Sequence, residues 1–138
     1  MKILVATEKP FAPVAIRLIR EITDAAGYEL ALLENYKDVS EFHMAVADAD
    51  ALIVRSDIVD EAVLKAAGKL KIVVRAGAGY DNLDLAACTA HNVVAMNTPG
   101  QNANAVAELA FEMMLYQARQ GFGGKSGSEL RGKTIGLH

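Results

Sequence analysis

The chain has 138 residues, 52% of them hydrophobic and 22% charged, with no Trp and a formal net charge of -3. That length fits one domain with a single core, and the composition excludes a disordered or fibrous chain. The acidic balance argues against nucleic acid as the main partner, since phosphate-backbone binding needs a basic surface, although a local pair of arginines can still hold a small anion.

Short apolar runs alternate with helical spacings along the whole chain. The run at 3–7 predicts a buried strand. Residues 13–26 predict a helix on the recurrence of Val14, Leu18, Ile22 and Ala25, with Gly27 as its stop. A second strand is expected over 28–34 and a helix over 39–49 with Asp38 as its N-cap. A third strand over 51–55 leads to a helix over 60–67, a fourth strand over 70–75 to a short helix over 83–91, and a fifth strand covers 93–97. A long helix over 105–120, capped by Asn102 or Asn104, is apolar nearly all round and should be buried on most sides. Residues 121–128, Gly-Phe-Gly-Gly-Lys-Ser-Gly-Ser, read as a flexible linker, and 133–138 as the start of a sixth strand.

This alternation predicts an α/β fold: a flavodoxin-like, doubly wound parallel sheet of about five strands, order 2-1-3-4-5, covered on both faces. The expected organisation is a first domain over 1–97, an interdomain helix over 98–120, a linker over 121–132 and the beginning of a further domain over 133–138. Cys88 is the only cysteine, so no intrachain disulfide is possible. With no export signal in the N-terminal residues and no apolar stretch of membrane-spanning length, a cytoplasmic setting is expected.

Open parallel sheets bind ligands beyond the carboxyl ends of their strands. Thr7 and Glu8 would stand there after the first strand, Arg55 and Ser56 after the third, and Arg75-Ala76-Gly77-Ala78-Gly79 after the fourth. Arg55 and Arg75 should point into one crevice and offer two forked donors to a phosphate or carboxylate. The competing reading gives each arginine to solvent, or to Asp57 or Asp81. Gly77 and Gly79 allow positive φ and a close backbone approach, so that successive N–H groups could face a carboxylate. They do not make a dinucleotide fingerprint, because the third small position is Asn82, inside Tyr80-Asp81-Asn82. His43 and His91 read as solvated or structural, and His138 is the last residue. Without His or carboxylate pairs at ligand spacing no metal is expected. Cys88 reads as a small buried hydrophobe, and Met113 and Met114 as packing residues.

Taken together, Val-Arg-Ser at 54–56, Val-Arg-Ala-Gly-Ala-Gly-Tyr-Asp-Asn-Leu-Asp at 74–84 and Met-Asn-Thr-Pro-Gly-Gln-Asn-Ala-Asn-Ala-Val-Ala-Glu-Leu-Ala at 96–110 resemble the D-2-hydroxyacid dehydrogenase family, and within it most the branch acting on D-3-phosphoglycerate. The resemblance implies an NAD-dependent oxidoreductase that converts D-3-phosphoglycerate to 3-phosphohydroxypyruvate at the entry to serine synthesis. It implies that Arg55, Ser56 and Arg75 contact the anionic substrate and that the backbone of Ala76, Gly77 and Ala78 holds its carboxylate. It also implies that Asn102, Ala103, Asn104, Val106 and Glu108 lie near the nicotinamide. The segment 130–136 resembles the lead into the family's NAD-binding domain, whose Gly motif and whose catalytic Arg, carboxylate and His would lie beyond residue 138. By this resemblance the chain is the substrate-binding portion alone, carries no catalytic residue, should not hold NAD tightly, and should pair with an NAD-binding domain; the apolar faces of the helix over 105–120 separately predict a homodimer. The alternatives are a stand-alone flavodoxin-like anion-binding module and a phospho-receiver domain; the latter would need an Asp where the third strand ends, and Arg55-Ser56 stands there instead.

Overall fold

A computed structural model describes residues 1–137. Ten principal elements alternate along it: β1 (Lys2–Thr7), α1 (Pro13–Ala25), β2 (Glu29–Glu34), α2 (Val39–Val46), β3 (Ala51–Val54), α3 (Glu61–Ala66), β4 (Ile72–Arg75), α4 (Leu85–Ala90), β5 (Val94–Asn97) and α5 (Ala103–Ala118). The five strands form one parallel sheet in the order β2-β1-β3-β4-β5, the fold class and order expected from the sequence. The chain divides into two compact units, Met1–Pro99 and the residues from Gly100 onward.

In the first unit, alternate strand residues set the core. Leu4, Ala6, Leu52, Val54 and Val73 point to one face and pack with Phe42 and Val46 of α2, Val63 and Leu64 of α3, and Cys88 of α4. The helices on this face start cleanly because their caps are in place. Asp38 and Glu41 form a capping box at α2, Asp60 accepts from Ala62 and Val63 at α3, and Asp84 accepts from Ala87 at α4. Burial holds the Cys88 thiol above its ordinary pKa, which suits a packing role.

The other face departs from the expectation of complete cover. Val5 is buried there, but Leu32, Val94 and Met96 are exposed. The α1 stripe of Val14, Leu18 and Ile22 is 52, 50 and 70% exposed, while Ile16, Ile19 and Thr23 turn inward. Both sets recur at helical spacing, so periodicity alone could not choose between them.

In the second unit α5 begins at Ala103, two residues earlier than expected. Asn102 holds the cap position but its side chain makes no capping bond, and Asn104 lies inside the helix. No residue of α5 is buried, against the expectation of cover on most sides. A 3₁₀ turn (Gln120–Phe122) brings Phe122 edge-on to Tyr116, ring centroids 5.7 Å apart, and Ser128 N–H donates to the Ala118 carbonyl at 2.8 Å. The strand expected from 133 is not formed over 133–137, where no neighbouring strand takes up its backbone groups; residue 138 lies outside the described residues.

Candidate functional site

The strand order reverses between β1 and β3, and a cleft of about 470 Å³ opens at their carboxyl ends. Its walls include Lys9 after β1, Tyr36 and Lys37 after β2, and Arg55 and Ser56 after β3. Thr7, buried at the end of β1, accepts from Lys9 N at 3.2 Å and donates its hydroxyl to the Lys9 carbonyl at 2.7 Å, which turns the chain sharply at the cleft mouth.

The two arginines occupy neighbouring strand ends, but they do not present equivalent groups. Arg55 is exposed in the cleft wall. Its Nη1 donates to the Pro10 carbonyl at 3.3 Å and its guanidinium lies 5.6 Å from the centre of the Phe11 ring. Arg75, in register with Val54 on one side and Asn97 on the other, does not line this cleft. Its Nε donates to the Arg55 carbonyl at 3.0 Å and its guanidinium lies over Gly77. Among the described residues neither arginine has a carboxylate within 4.0 Å, so Asp57 and Asp81 do not neutralise them.

The Gly77 loop has neither the backbone angles nor all the free amides that its composition suggested. Neither Gly77 nor Gly79 has a positive φ. Gly77 is small because a Cβ there would overlap the Arg75 guanidinium. The amides of Ala76 and Gly77 are already spent on the carbonyls of Val54 (2.8 Å) and Arg75 (2.9 Å), whereas Ala78 N–H has no partner among the described residues. Thr98 N–H donates to the Gly77 carbonyl at 2.9 Å, and Asn97 Nδ2 to that of Ala78 at 2.7 Å, so the end of β5 holds the loop in place.

Sequence reasoning missed the residue that ties these ends together. Asp57 is only 7% exposed. Its Oδ1 accepts from Glu8 N–H at 2.8 Å and from the Tyr36 hydroxyl at 2.7 Å, and its Oδ2 faces Arg55 N–H at 3.4 Å. Asn82 Nδ2 reaches the Asp57 carbonyl at 2.8 Å and the Arg55 carbonyl at 3.4 Å. Burial, reinforced by the bond to Asp57, raises the Tyr36 phenol well above its ordinary pKa, so it stays protonated and donates. Nothing in the sequence pairs positions 36 and 57; the only signal is an Asp directly after a strand-end Arg-Ser.

A model of the D-isomer specific 2-hydroxyacid dehydrogenase catalytic domain matches residues 3–131. The chain belongs to that family. Similar proteins include the D-3-phosphoglycerate dehydrogenase of Mycobacterium leprae, 42% identical over 114 residues that cover 72% of this chain and 22% of the relative. The Sus scrofa enzyme of the same name is 38% identical over 132 residues, covering 86% of this chain and 25% of the relative. The chain thus spans about a quarter or less of these curated relatives. Among solved structures, an NAD+-bound 3-phosphoglycerate dehydrogenase from Entamoeba histolytica is 53% identical with a TM-score of 0.91, over 94% of this chain and 43% of that one.

A dinucleotide bound by the described residues would need a seat for its pyrophosphate. The Gly77–Gly79 turn does not open onto a helix N-terminus. It runs through Asn82 to Leu83, which bridges to Val59, and α4 then starts with its Ala87 amide taken by Asp84. A pyrophosphate needs free amides at such a helix start, so this turn does not fit one. Asn102, Ala103, Asn104, Val106 and Glu108 lie in the second unit, all exposed; Asn104 and Glu108 border an open hollow there with Phe111 and Leu115. Among the described residues no three His, Cys, Asp or Glu gather as metal ligands, and His91 Nε2 lies 3.1 Å from Glu61. Among the described residues no helix is long and apolar enough to cross a membrane.

Proposed function

We propose that this chain supplies the substrate-binding portion of an NAD-dependent D-2-hydroxyacid dehydrogenase, acting on D-3-phosphoglycerate to give 3-phosphohydroxypyruvate at the entry to serine synthesis. The observation that carries this reading is the Arg55–Arg75 pair. Two arginines stand at adjacent strand ends, Arg75 Nε donating to the Arg55 backbone carbonyl, and both guanidinium groups are free of any carboxylate among the described residues. Such a pair suits a substrate that carries a phosphate besides a carboxylate. Arg55 and Ser56 in the cleft wall would hold one anionic group. Arg75 and the unspent Ala78 N–H would hold the other, while Ala76 and Gly77 shape the loop. The family membership and the names of the similar proteins support the same substrate class.

NAD accepts the hydride in such a reaction; the Gly77–Gly79 turn offers it no seat, and no hydride step is assigned to the described residues. Asn102, Ala103, Asn104, Val106 and Glu108 would face the nicotinamide when an NAD-binding domain is present. The exposed Val106, Leu109, Phe111 and Leu115 of α5 would then be covered, and in its absence the chain should form a homodimer, because a large apolar patch seldom stays bare. Sedimentation at micromolar concentration should report a dimer or larger species. The buried free thiol of Cys88 suits a cytoplasmic setting.

Titration of the labelled chain with 3-phosphoglycerate tests the substrate assignment. Affinity should lie in roughly the millimolar range, about -4 kcal/mol, because Arg55 and Ser56 in the cleft wall are open to water. Arg55→Ala and Arg75→Ala should each weaken it by about tenfold or more. If no amide near Ala78 shifts, the assignment fails.

A further inference from the structure

We propose that Asp57, held by Tyr36, is the positioning residue of the anion site: it fixes the backbone of Arg55 and, through the Arg55 carbonyl, the guanidinium of Arg75. This inference rests on the reading of these strand ends as an anion site.

The bonds form a continuous chain. Asp57 Oδ1 joins the end of β1, through Glu8 N–H at 2.8 Å, to the segment after β2, through the Tyr36 hydroxyl at 2.7 Å. Its Oδ2 faces Arg55 N–H at 3.4 Å, two residues back along the chain. The Arg55 carbonyl in turn accepts Arg75 Nε at 3.0 Å. Asn82, from the loop after β4, closes the ring with bonds to the carbonyls of Asp57 and Arg55. The carboxylate thereby joins the segments that follow β1, β2 and β3, and the loop after β4 is tied to the backbone carbonyls of Asp57 and Arg55.

A buried carboxylate beside an anion-binding cleft works against the ligand unless its charge is used elsewhere. Here an amide N–H and a hydroxyl share one oxygen and a further amide faces the other, so its lone pairs are turned to the protein. No guanidinium pairs with it, so the donors that Arg55 does not give to Pro10 and that Arg75 does not give to the Arg55 carbonyl are left for a ligand. Tyr36 has a definite part in this. A carboxylate can only accept, so the phenol proton is committed to Asp57 and cannot be donated to a ligand in the cleft. Tyr36 is therefore a tether rather than an acid, although its side chain lines the cleft. Its ring packs 5.7 Å from that of Phe42, which fixes the phenol independently of the hydrogen bond. Replacing the hydroxyl alone therefore leaves the core filled.

The test uses the 138-residue chain with the variants Tyr36→Phe and Asp57→Asn, 3-phosphoglycerate as the probe, and two readouts. One is affinity from amide shifts; the other is the arginine side-chain Nε–Hε resonance of Arg75, which reports its bond to the Arg55 carbonyl. Tyr36→Phe should weaken binding on the order of three- to tenfold and move the Arg75 Hε resonance, while amides of the Leu4, Leu52 and Val73 core keep their positions. Asp57→Asn should act in the same direction and more strongly; should it fail to fold, Tyr36→Phe decides alone. Wild-type affinity in Tyr36→Phe, or weaker binding with Arg75 Hε unmoved, overturns the inference. If the wild-type chain does not respond to 3-phosphoglycerate, the proposed function fails instead. The positioning role is then judged by Arg75 Hε alone, and an unmoved resonance in Tyr36→Phe overturns it.

Discussion

The Arg75 guanidinium fills the volume that a side chain at Gly77 would occupy. Glycine there leaves room for the guanidinium and supplies no special backbone freedom, since Gly77 has no positive φ. Gly77→Ala should consequently fold, with a stability change of no more than about 1 kcal/mol, because the end of a flexible arginine can swing aside. Anion affinity should fall by about three- to tenfold as Arg75 loses its place. Denaturant unfolding and a 3-phosphoglycerate titration read the two effects separately. Unchanged affinity would show that the guanidinium needs no fixed seat.

Phe42 is 1% exposed and stacks beside Tyr36. Phe42→Ala should cost about 3–5 kcal/mol, the loss of transfer energy plus the cavity left behind. The midpoint of urea unfolding should drop with little change in slope. A loss below about 1 kcal/mol would mean that α2 can close over the gap.

Acid should weaken the fold through a specific set of carboxylates. Asp38 is held below its ordinary value of 3.8 chiefly by the backbone bond from Ser40, Asp48 by the Lys2 ammonium and Asp50 by the Lys2 backbone N–H. Glu61 is held below 4.5 by bonds to His91 first and Lys65 second. Depressed pKa values mean that the unfolded chain takes up protons first, so stability is complete above the ordinary values and declines as pH falls through them toward the folded ones. Asp38 and Asp48 are exposed and Asp50 and Glu61 half-buried, so the decline should be gentle and partly screened by salt. A melting temperature that holds level from pH 7 to about 5 and then falls agrees with this; one that rises below pH 4 contradicts it.

The 138-residue chain alone should produce no NADH from 3-phosphoglycerate and NAD. The Gly77–Gly79 turn is braced by Arg75, Thr98 and Asn97, and the α4 start beyond it is capped by its own Asp84. Measurable turnover by the pure chain would place a cofactor seat where none is drawn.

Much of the first unit was legible because its strands are near-continuous apolar runs and its helices show clear spacing, with Asp38 marking the start of one. Those signals were enough for the element order and the sheet order. They failed where sequence carries two equal signals or none. On α1 the stripes of Val14, Leu18, Ile22 and of Ile16, Ile19, Thr23 are equally helical, and only the fold chooses the inward one. At Gly77 composition cannot separate a need for positive φ from a need for room. Asp57 and Tyr36 lie 21 positions apart, and an Asp near two arginines reads as their partner when its bonds run to Tyr36 and to backbone amides. The expected strand at 133 had the right residues and no edge to join.

β1 stands between β2 and β3, pairing Ala6 with Leu33 on one side and with Val54 on the other. Its hydrogen-bonding edges therefore remain open while a nascent chain is extended, and both are closed only once Val54 has emerged. During that interval residues 2–7 form an apolar strand able to join any passing edge. Slower synthesis across residues 35–50 should lengthen this exposure and lower soluble yield, whereas the same delay after Asn97 should not.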